Sequence, residues 1–227
     1  MFAVRVSVSR MLSRTKFVAF GDSITDGVVR LVPLITLGRP ESYPFKLEAF
    51  LSQSYPTQTF VVFEEGRPGE KTTEGVRRLP SVLDAHQPEL MLLFEGVNAV
   101  RELSTSSQVN ALRNMIIIAQ QRGVEVIIAT LMPISPERED DHPGTAPKID
   151  ALNARIFALA DEHGLGNVVD LFAIFRSNMH LLGSDGLHPT EEGQTRIAEA
   201  FRDEIVRRYE SRATMTSRFS NLANDAR

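Results

Sequence analysis

Residues 17–23 read Phe17-Val18-Ala19-Phe20-Gly21-Asp22-Ser23, four apolar side chains followed without a spacer by a glycine, a carboxylate and a hydroxyl. A strand with one face in water alternates apolar and polar residues, whereas a run that is apolar throughout belongs to a strand covered on both faces. The same character recurs at 59–63, 90–94, 124–130 and 167–171. Between these runs lie segments with helical periodicity, at 43–52, 73–85, 107–122, 147–163 and 190–209. Five buried strands alternating with crossover-length helices predict an α/β fold built on a parallel sheet with both faces covered. The last helix is the clearest. Ile197, Phe201 and Ile205 recur at four-residue spacing, Thr190 is placed to cap the N-terminus, and Glu191 and Glu192 occupy the dipole-favoured first turn.

The composition bounds the chemistry. With 42% hydrophobic and 24% charged residues, the 227-residue chain has material for one sizeable core, expected over residues 16–209. Before the first acidic residue, Asp22, the chain carries Arg5, Arg10, Arg14 and Lys16, and residues 1–15 read as a flexible arm. Arg5 and Arg10 interrupt the continuous apolar stretch a secretory signal needs. The acid-free composition also matches a transit peptide, but the plainer expectation is a cytoplasmic protein with a loose arm. Residues 210–227 read as a polar tail. No run of ~18 uncharged apolar residues occurs, so a bilayer-spanning helix is not expected. A formal charge of −4 lacks the basic footprint of a nucleic-acid binder. The absence of cysteine excludes disulfides, thiolate metal sites and Cys nucleophiles, and no HExxH, Walker loop or GxGxxG is present. Neither a metal nor a cofactor is expected, and the available chemistry is that of Ser, His, Asp, Glu and Lys.

In open α/β sheets ligands bind beyond the carboxyl ends of the strands. Four polar stretches fall there: Gly21-Asp22-Ser23, Gly66-Arg67-Pro68-Gly69, Gly96-Val97-Asn98 and, before the last helix, Asp185-Gly186-Leu187-His188-Pro189. Ser23 as nucleophile needs a base, a role His188 fills if Asp185 fixes its tautomer. Gly186 permits a tight turn between them, and Pro189 stiffens the chain where it joins the helix. The N–H groups of Ser23 and Gly69 and the Asn98 amide would supply three oxyanion donors. Each feature alone also fits a structural role: a turn or cap for Asp22-Ser23, a turn glycine at Gly69, a loop residue at Asn98 and a capping contact at His188. Their order, each in a loop where a site is expected, favours the chemical reading. His86, His142, His163 and His180 fit turns, loops or helix ends.

These blocks resemble the SGNH (GDSL) hydrolase family. The first resembles Phe20-Gly21-Asp22-Ser23-Ile24-Thr25-Asp26-Gly27, and the second Glu65-Gly66-Arg67-Pro68-Gly69-Glu70-Lys71-Thr72-Thr73. The third is similar to Gly96-Val97-Asn98-Ala99 and the fifth to Asp185-Gly186-Leu187-His188-Pro189-Thr190. Over about residues 16–208 the resemblance implies a three-layer α/β/α sandwich with a flavodoxin-like, five-stranded parallel sheet. It implies hydrolysis of esters or thioesters through an acyl-enzyme, with a small-molecule ester as partner and no metal. In that reading Ser23, Asp185 and His188 are the triad, and Ser23, Gly69 and Asn98 surround the oxyanion. Asp22 and Asp26 are read as structural. Glu65 stands where the family commonly has Asn, and Ala99 where it commonly has Asp, which removes a side chain that would brace Asn98. Two rivals remain: a carbohydrate O-deacetylase of the same fold, and a binding module without turnover. No Trp and three Tyr against 13 Phe lean towards acyl chains rather than sugars. Residues 28–37 hold Val28, Val29, Leu31, Val32, Leu34, Ile35 and Leu37, which either join the core or line an acyl pocket. Loops 28–42 and 133–147 are expected to wall that pocket.

Overall fold

The computed structural model describes residues 6–29, 35–36 and 41–216. In chain order its elements are β1 (Val6–Leu12), β2 (Lys16–Gly21), α1 (Ser23–Asp26), β3 (Val28–Val29), β4 (Ile35–Thr36), α2 (Tyr43–Ser54), β5 (Val61–Gly66), α3 (Thr72–His86), β6 (Leu90–Phe94), α4 (Thr105–Gln121), β7 (Glu125–Ile128), α5 (Pro136–Asp141), α6 (Thr145–Glu162), α7 (Leu171–Arg176), α8 (Glu191–Tyr209) and β8 (Glu210–Thr216).

The continuous apolar runs become buried strands. Phe17, Val18, Ala19 and Phe20 of β2 and all five residues of β6 are inaccessible or nearly so. The parallel sheet has the order β5-β2-β6-β7. Its connections run to one side of β2 first and then to the other, so the crevice at a reversal of strand order opens beyond the end of β2. Helices α2 and α8 pack together, as do α3 and α4, and α4 also meets α6. The result is the expected three-layer α/β/α sandwich. The fifth strand expected at 167–171 is reduced to one parallel bridge between Ala129 and Val169. The reason is local: the Asp170 side chain accepts from the Ala173 N–H at 3.0 Å and starts α7, which takes Leu171 and Phe172 out of extended conformation.

Two stretches read as arm and tail meet each other. β1 pairs antiparallel with β8 from Val6↔Thr216 to Leu12↔Glu210. Residues 1–5 and 217–227 lie outside the described residues. Loop 133–147 contains α5, which Ser135 caps through the Arg138 N–H at 3.2 Å, and the start of α6. In the apolar stretch 28–37, β3 and β4 form a two-residue ladder, Val28↔Thr36 and Val29↔Ile35, while residues 30–34 and 37–40 lie outside the described residues, and with them most of the expected acyl pocket. No described helix is long and apolar enough to cross a membrane.

Glycines set how closely the strand ends approach. A Cβ on Gly21 would lie 2.1 Å from the Phe94 carbonyl oxygen, and one on Gly66 would lie 2.1 Å from the Asp26 nitrogen. Because the obstacle at Gly66 is backbone, Gly66→Ala is expected to cost about 3 kcal/mol, the upper end for overpacking. At Gly123, by contrast, φ is +71° and no heavy atom lies within 4 Å of the added methyl. There Ala should cost only ~1 kcal/mol, for backbone conformation alone. Urea unfolding of the two variants measures the difference, and equal losses would show that the strand end yields.

Candidate active site

The nucleophile candidate is placed by a helix cap. Asp22 accepts from the Ile24 N–H at 3.0 Å, which makes Ser23 the first residue of α1 and leaves its N–H without an acceptor in the helix. Gly27, in the left-handed region at φ +87°, ends the helix after one turn. Ser23 is 6% exposed, with its Oγ 2.9 Å from Nε2 of His188.

The other half of the pair is held by a side-chain turn. One oxygen of Asp185 accepts from the N–H groups of Leu187 and His188 at 3.1 and 3.0 Å, and the other lies 2.6 Å from His188 Nδ1. With Nδ1–H donated to this carboxylate, Nε2 is the acceptor facing the Ser23 hydroxyl. Burial alone would raise the Asp185 pKa. The donors from the His188 ring and the two backbone N–H groups outweigh it and bring the carboxyl down to about 2. The segment is clamped on both sides: the His188 carbonyl accepts from the Gly183 N–H at 2.7 Å and the Gly186 carbonyl from the Ser135 N–H at 2.9 Å. Arg138 donates to the Asp185 carbonyl at 3.2 Å. Gln194 is a residue the sequence did not single out. Fully buried on α8, it accepts from the Tyr43 N–H at 2.9 Å and donates to the Ile24 carbonyl at 3.0 Å, so it ties the helix after His188 to the helix that bears Ser23.

The two further donor candidates meet through the residue between them. Arg67–Glu70 is a turn closed by Glu70 N–H to the Arg67 carbonyl at 3.1 Å, with Gly69 at φ +79° in the position that demands a left-handed residue. No heavy atom lies within 4 Å of where a Gly69 Cβ would stand, so the turn faces open space. Asn98 sits in a single 3₁₀ turn, Val97–Ala99, and gives one amide hydrogen to the Glu70 carbonyl at 3.1 Å. Its second hydrogen is left to point elsewhere. Ala99 is fully buried with its N–H on the Gly96 carbonyl at 3.1 Å, so Asn98 is braced by Glu70 instead of by a carboxylate at position 99.

Glu70 is itself locked from behind. Its buried carboxylate takes a forked pair from Arg78, at 2.9 and 2.6 Å, and Arg78 also reaches Glu65 at 2.9 Å and lies over the Phe20 ring at 4.2 Å. Glu65 further contacts His86 Nε2 at 2.6 Å, and the His86 ring stacks on Phe63. The unusual Glu65 therefore belongs to an ion-pair network beneath the second loop. Glu95, buried next to Gly96, has no hydrogen-bond partner for either oxygen among the described residues; burial, then the negative charges of Asp22 and Glu70, push its carboxyl well above the usual range. His180 is exposed, 3.9 Å from Glu192. Among the described residues no group of three His, Asp or Glu is arranged to hold a metal.

Comparison with known proteins shows the family and the fold. Residues 19–196 match the model of the GDSL-like lipase/acylhydrolase family. An arylesterase from Vibrio mimicus is 26% identical over 199 residues, which covers 85% of this chain and 88% of that protein. A lipase/acylhydrolase from Enterococcus faecalis superposes with a TM-score of 0.73 at 22% identity, over 90% of this chain and all of the other. An acetyl xylan esterase gives 0.69 at 22% identity, over 83% of this chain and 98% of the other. At such identities these two structures show likeness of fold.

Asp22 offers a test of the site's electrostatics. Burial, only partly offset by the Ile24 and Gly96 N–H groups and by His188, raises its carboxyl from 3.8 to about 6. The folded state thus holds its proton more tightly than the unfolded state, and stability is lost as pH rises from about 4 to 6. Asp22→Asn keeps the oxygen that caps Ile24 and carries no charge. It is expected to gain on the parent across that window by about 3 kcal/mol. Urea unfolding between pH 4 and 8 measures the gain, and a pH-independent difference would show that the buried charge is balanced.

Proposed function

Since the chain belongs to the GDSL-like lipase/acylhydrolase family, an ester-hydrolysing enzyme family, we propose that it is a serine esterase cleaving carboxylic esters or thioesters through an acyl-enzyme at Ser23. The observation that carries this reading is the unbroken line of hydrogen bonds from Ser23 Oγ to His188 at 2.9 Å and from His188 to Asp185 at 2.6 Å. His188 Nε2 takes the hydroxyl proton as Oγ attacks the carbonyl carbon, and Asp185 stabilises the imidazolium that forms. The developing oxyanion is met by the N–H groups of Ser23 and Gly69 and by the free amide hydrogen of Asn98. His188 then gives its proton to the departing alcohol or thiol, which leaves an acyl ester on Ser23. A water deprotonated by the same imidazole releases the acid and restores the hydroxyl.

Ser23→Ala removes the atom that is acylated, and kcat on a 4-nitrophenyl acyl ester is expected to fall by about 10⁵-fold or more. Sulfonyl-fluoride labelling followed by peptide mass spectrometry should place the adduct on Ser23. An active alanine variant, or an adduct on another serine, overturns the mechanism.

Asn98→Ala deletes one of three donors while its neighbour Ala99 keeps the turn packed. We expect kcat to drop about 10²-fold with KM little changed. A loss below about threefold would leave the hole with two backbone donors.

A further inference from the structure

Beyond Asn98 the molecule opens into a cleft of about 360 Å³ whose lining includes Asn98, Arg101, Ile134, Arg138, His142 and Leu187. It begins at a proposed oxyanion donor and passes Leu187, the residue before His188, so it opens beside the proposed site of reaction. Ile134 is buried and Leu187 half-buried, and they give the cleft an apolar floor. Its rim carries Arg101, Arg138 and Glu102. Arg14, Arg78, Arg113, Arg122 and Arg208 each hold a carboxylate. Arg101 and Arg138 pair with no carboxylate among the described residues: Arg101 lies 3.0 Å from His142 Nδ1, and Arg138 gives one N–H to the Asp185 carbonyl at 3.2 Å. Two of the acids alongside are already engaged, while Asp140 and Asp141 follow Arg138 on α5. Glu102, in the cleft wall, binds Lys71, and Glu139, next to Arg138, accepts the N–H groups of Gly144 and Ala146 at 2.6 and 2.7 Å. A guanidinium presents several donors in a planar fork that matches a carboxylate. Two of them above an apolar floor fit a short carbon chain that ends in an anion.

We propose that this cleft is a subsite for a carboxylate carried by the ester substrate a few bonds from the scissile carbonyl. The proposal rests on the esterase reading above. The carboxylate sits either on the acyl group or on the alcohol, and two substrate pairs separate these. The acyl pair is 4-nitrophenyl hydrogen adipate and its methyl-capped neutral counterpart. The alcohol pair is 4-carboxyphenyl butyrate and its methyl ester, and every rate is divided by the uncatalysed rate of the same compound. In one pair kcat/KM should favour the anionic member about tenfold at low salt, through KM, with the preference shrinking as sodium chloride is raised to about 0.5 M. Arg101→Gln and Arg138→Gln should each lower the anionic-to-neutral ratio about threefold, and Arg138→Lys should restore part of it. A preference in the acyl pair places the carboxylate on the acid, and one in the alcohol pair places it on the leaving group. If Ser23-dependent hydrolysis of the neutral esters proceeds without an anionic preference, or if the preference survives both glutamine variants, the subsite is refuted while the esterase reading stands. If neither neutral nor anionic esters are turned over, the esterase reading falls and the subsite with it.

Discussion

The ends of three parallel strands come together at Gly21 and Gly66 with no room for a side chain. Gly21 is in register with Gly66 on one side and with Phe94 on the other, and the Gly21 carbonyl accepts from the Arg67 N–H at 3.0 Å. Neighbouring strands in a sheet lie about 4.8 Å apart, so loops that leave three adjacent strands at one level emerge as neighbours. That spacing is why a helix cap at Asp22, a proline-glycine turn at 67–70 and a 3₁₀ turn at 97–99 share a single crevice. A methyl group on either glycine would part the strand end from the helix that carries Ser23.

The second constraint is electrostatic. Three carboxyl groups, Asp22, Glu70 and Glu95, are buried behind the crevice. Charge without solvent is costly, and each acid meets that cost in its own way. Glu70 takes the fork of Arg78, Glu95 is pushed well above the usual carboxylate range by burial, and Asp22 is raised to about 6 even with backbone donors on it. Asp185 is only half-buried and has the His188 ring with two N–H groups on it, so it stays ionised down to about 2. Two aspartates within one site thus differ by about four pK units through environment alone, the usual way one chain keeps carboxylates in separate roles.

Much of this was legible before any coordinates. Strands apolar on both faces announce themselves, and β6 falls on the residues expected for it, 90–94. Residues 167–171 were read as the same kind of strand, yet Asp170 within them caps a helix start, a contest between burial and local hydrogen bonding that hydrophobicity does not register. Helix α5 carried a readable signal, Ser135-Pro136-Glu137, in which a capping hydroxyl, a proline at the first helical position and an acid in the first turn stand in order. Val6-Ser7-Val8-Ser9 alternates as a strand should, but its partner Glu210–Thr216 lies at the far end of the chain and shows no matching pattern. The candidate triad was legible because its groups sit in short local motifs. The brace on Asn98 was not: it depends on a main-chain carbonyl at Glu70, and every residue type has one. Nor do Arg101 and Arg138 stand out among many arginines until the fold brings them to one cleft.

Ser23 and His188 are separated by 165 positions, and nothing between them holds the two together until β5, β6 and β7 have been laid down and α8 has docked through Gln194. A nascent chain that has emerged from the ribosome only as far as α6 already displays the Ser23 hydroxyl but lacks His188. In the mechanism proposed above, hydrolytic competence therefore requires long-range closure and not merely formation of secondary structure. Such late assembly leaves the proposed nucleophile without its proposed base while the surrounding polypeptide is still being made.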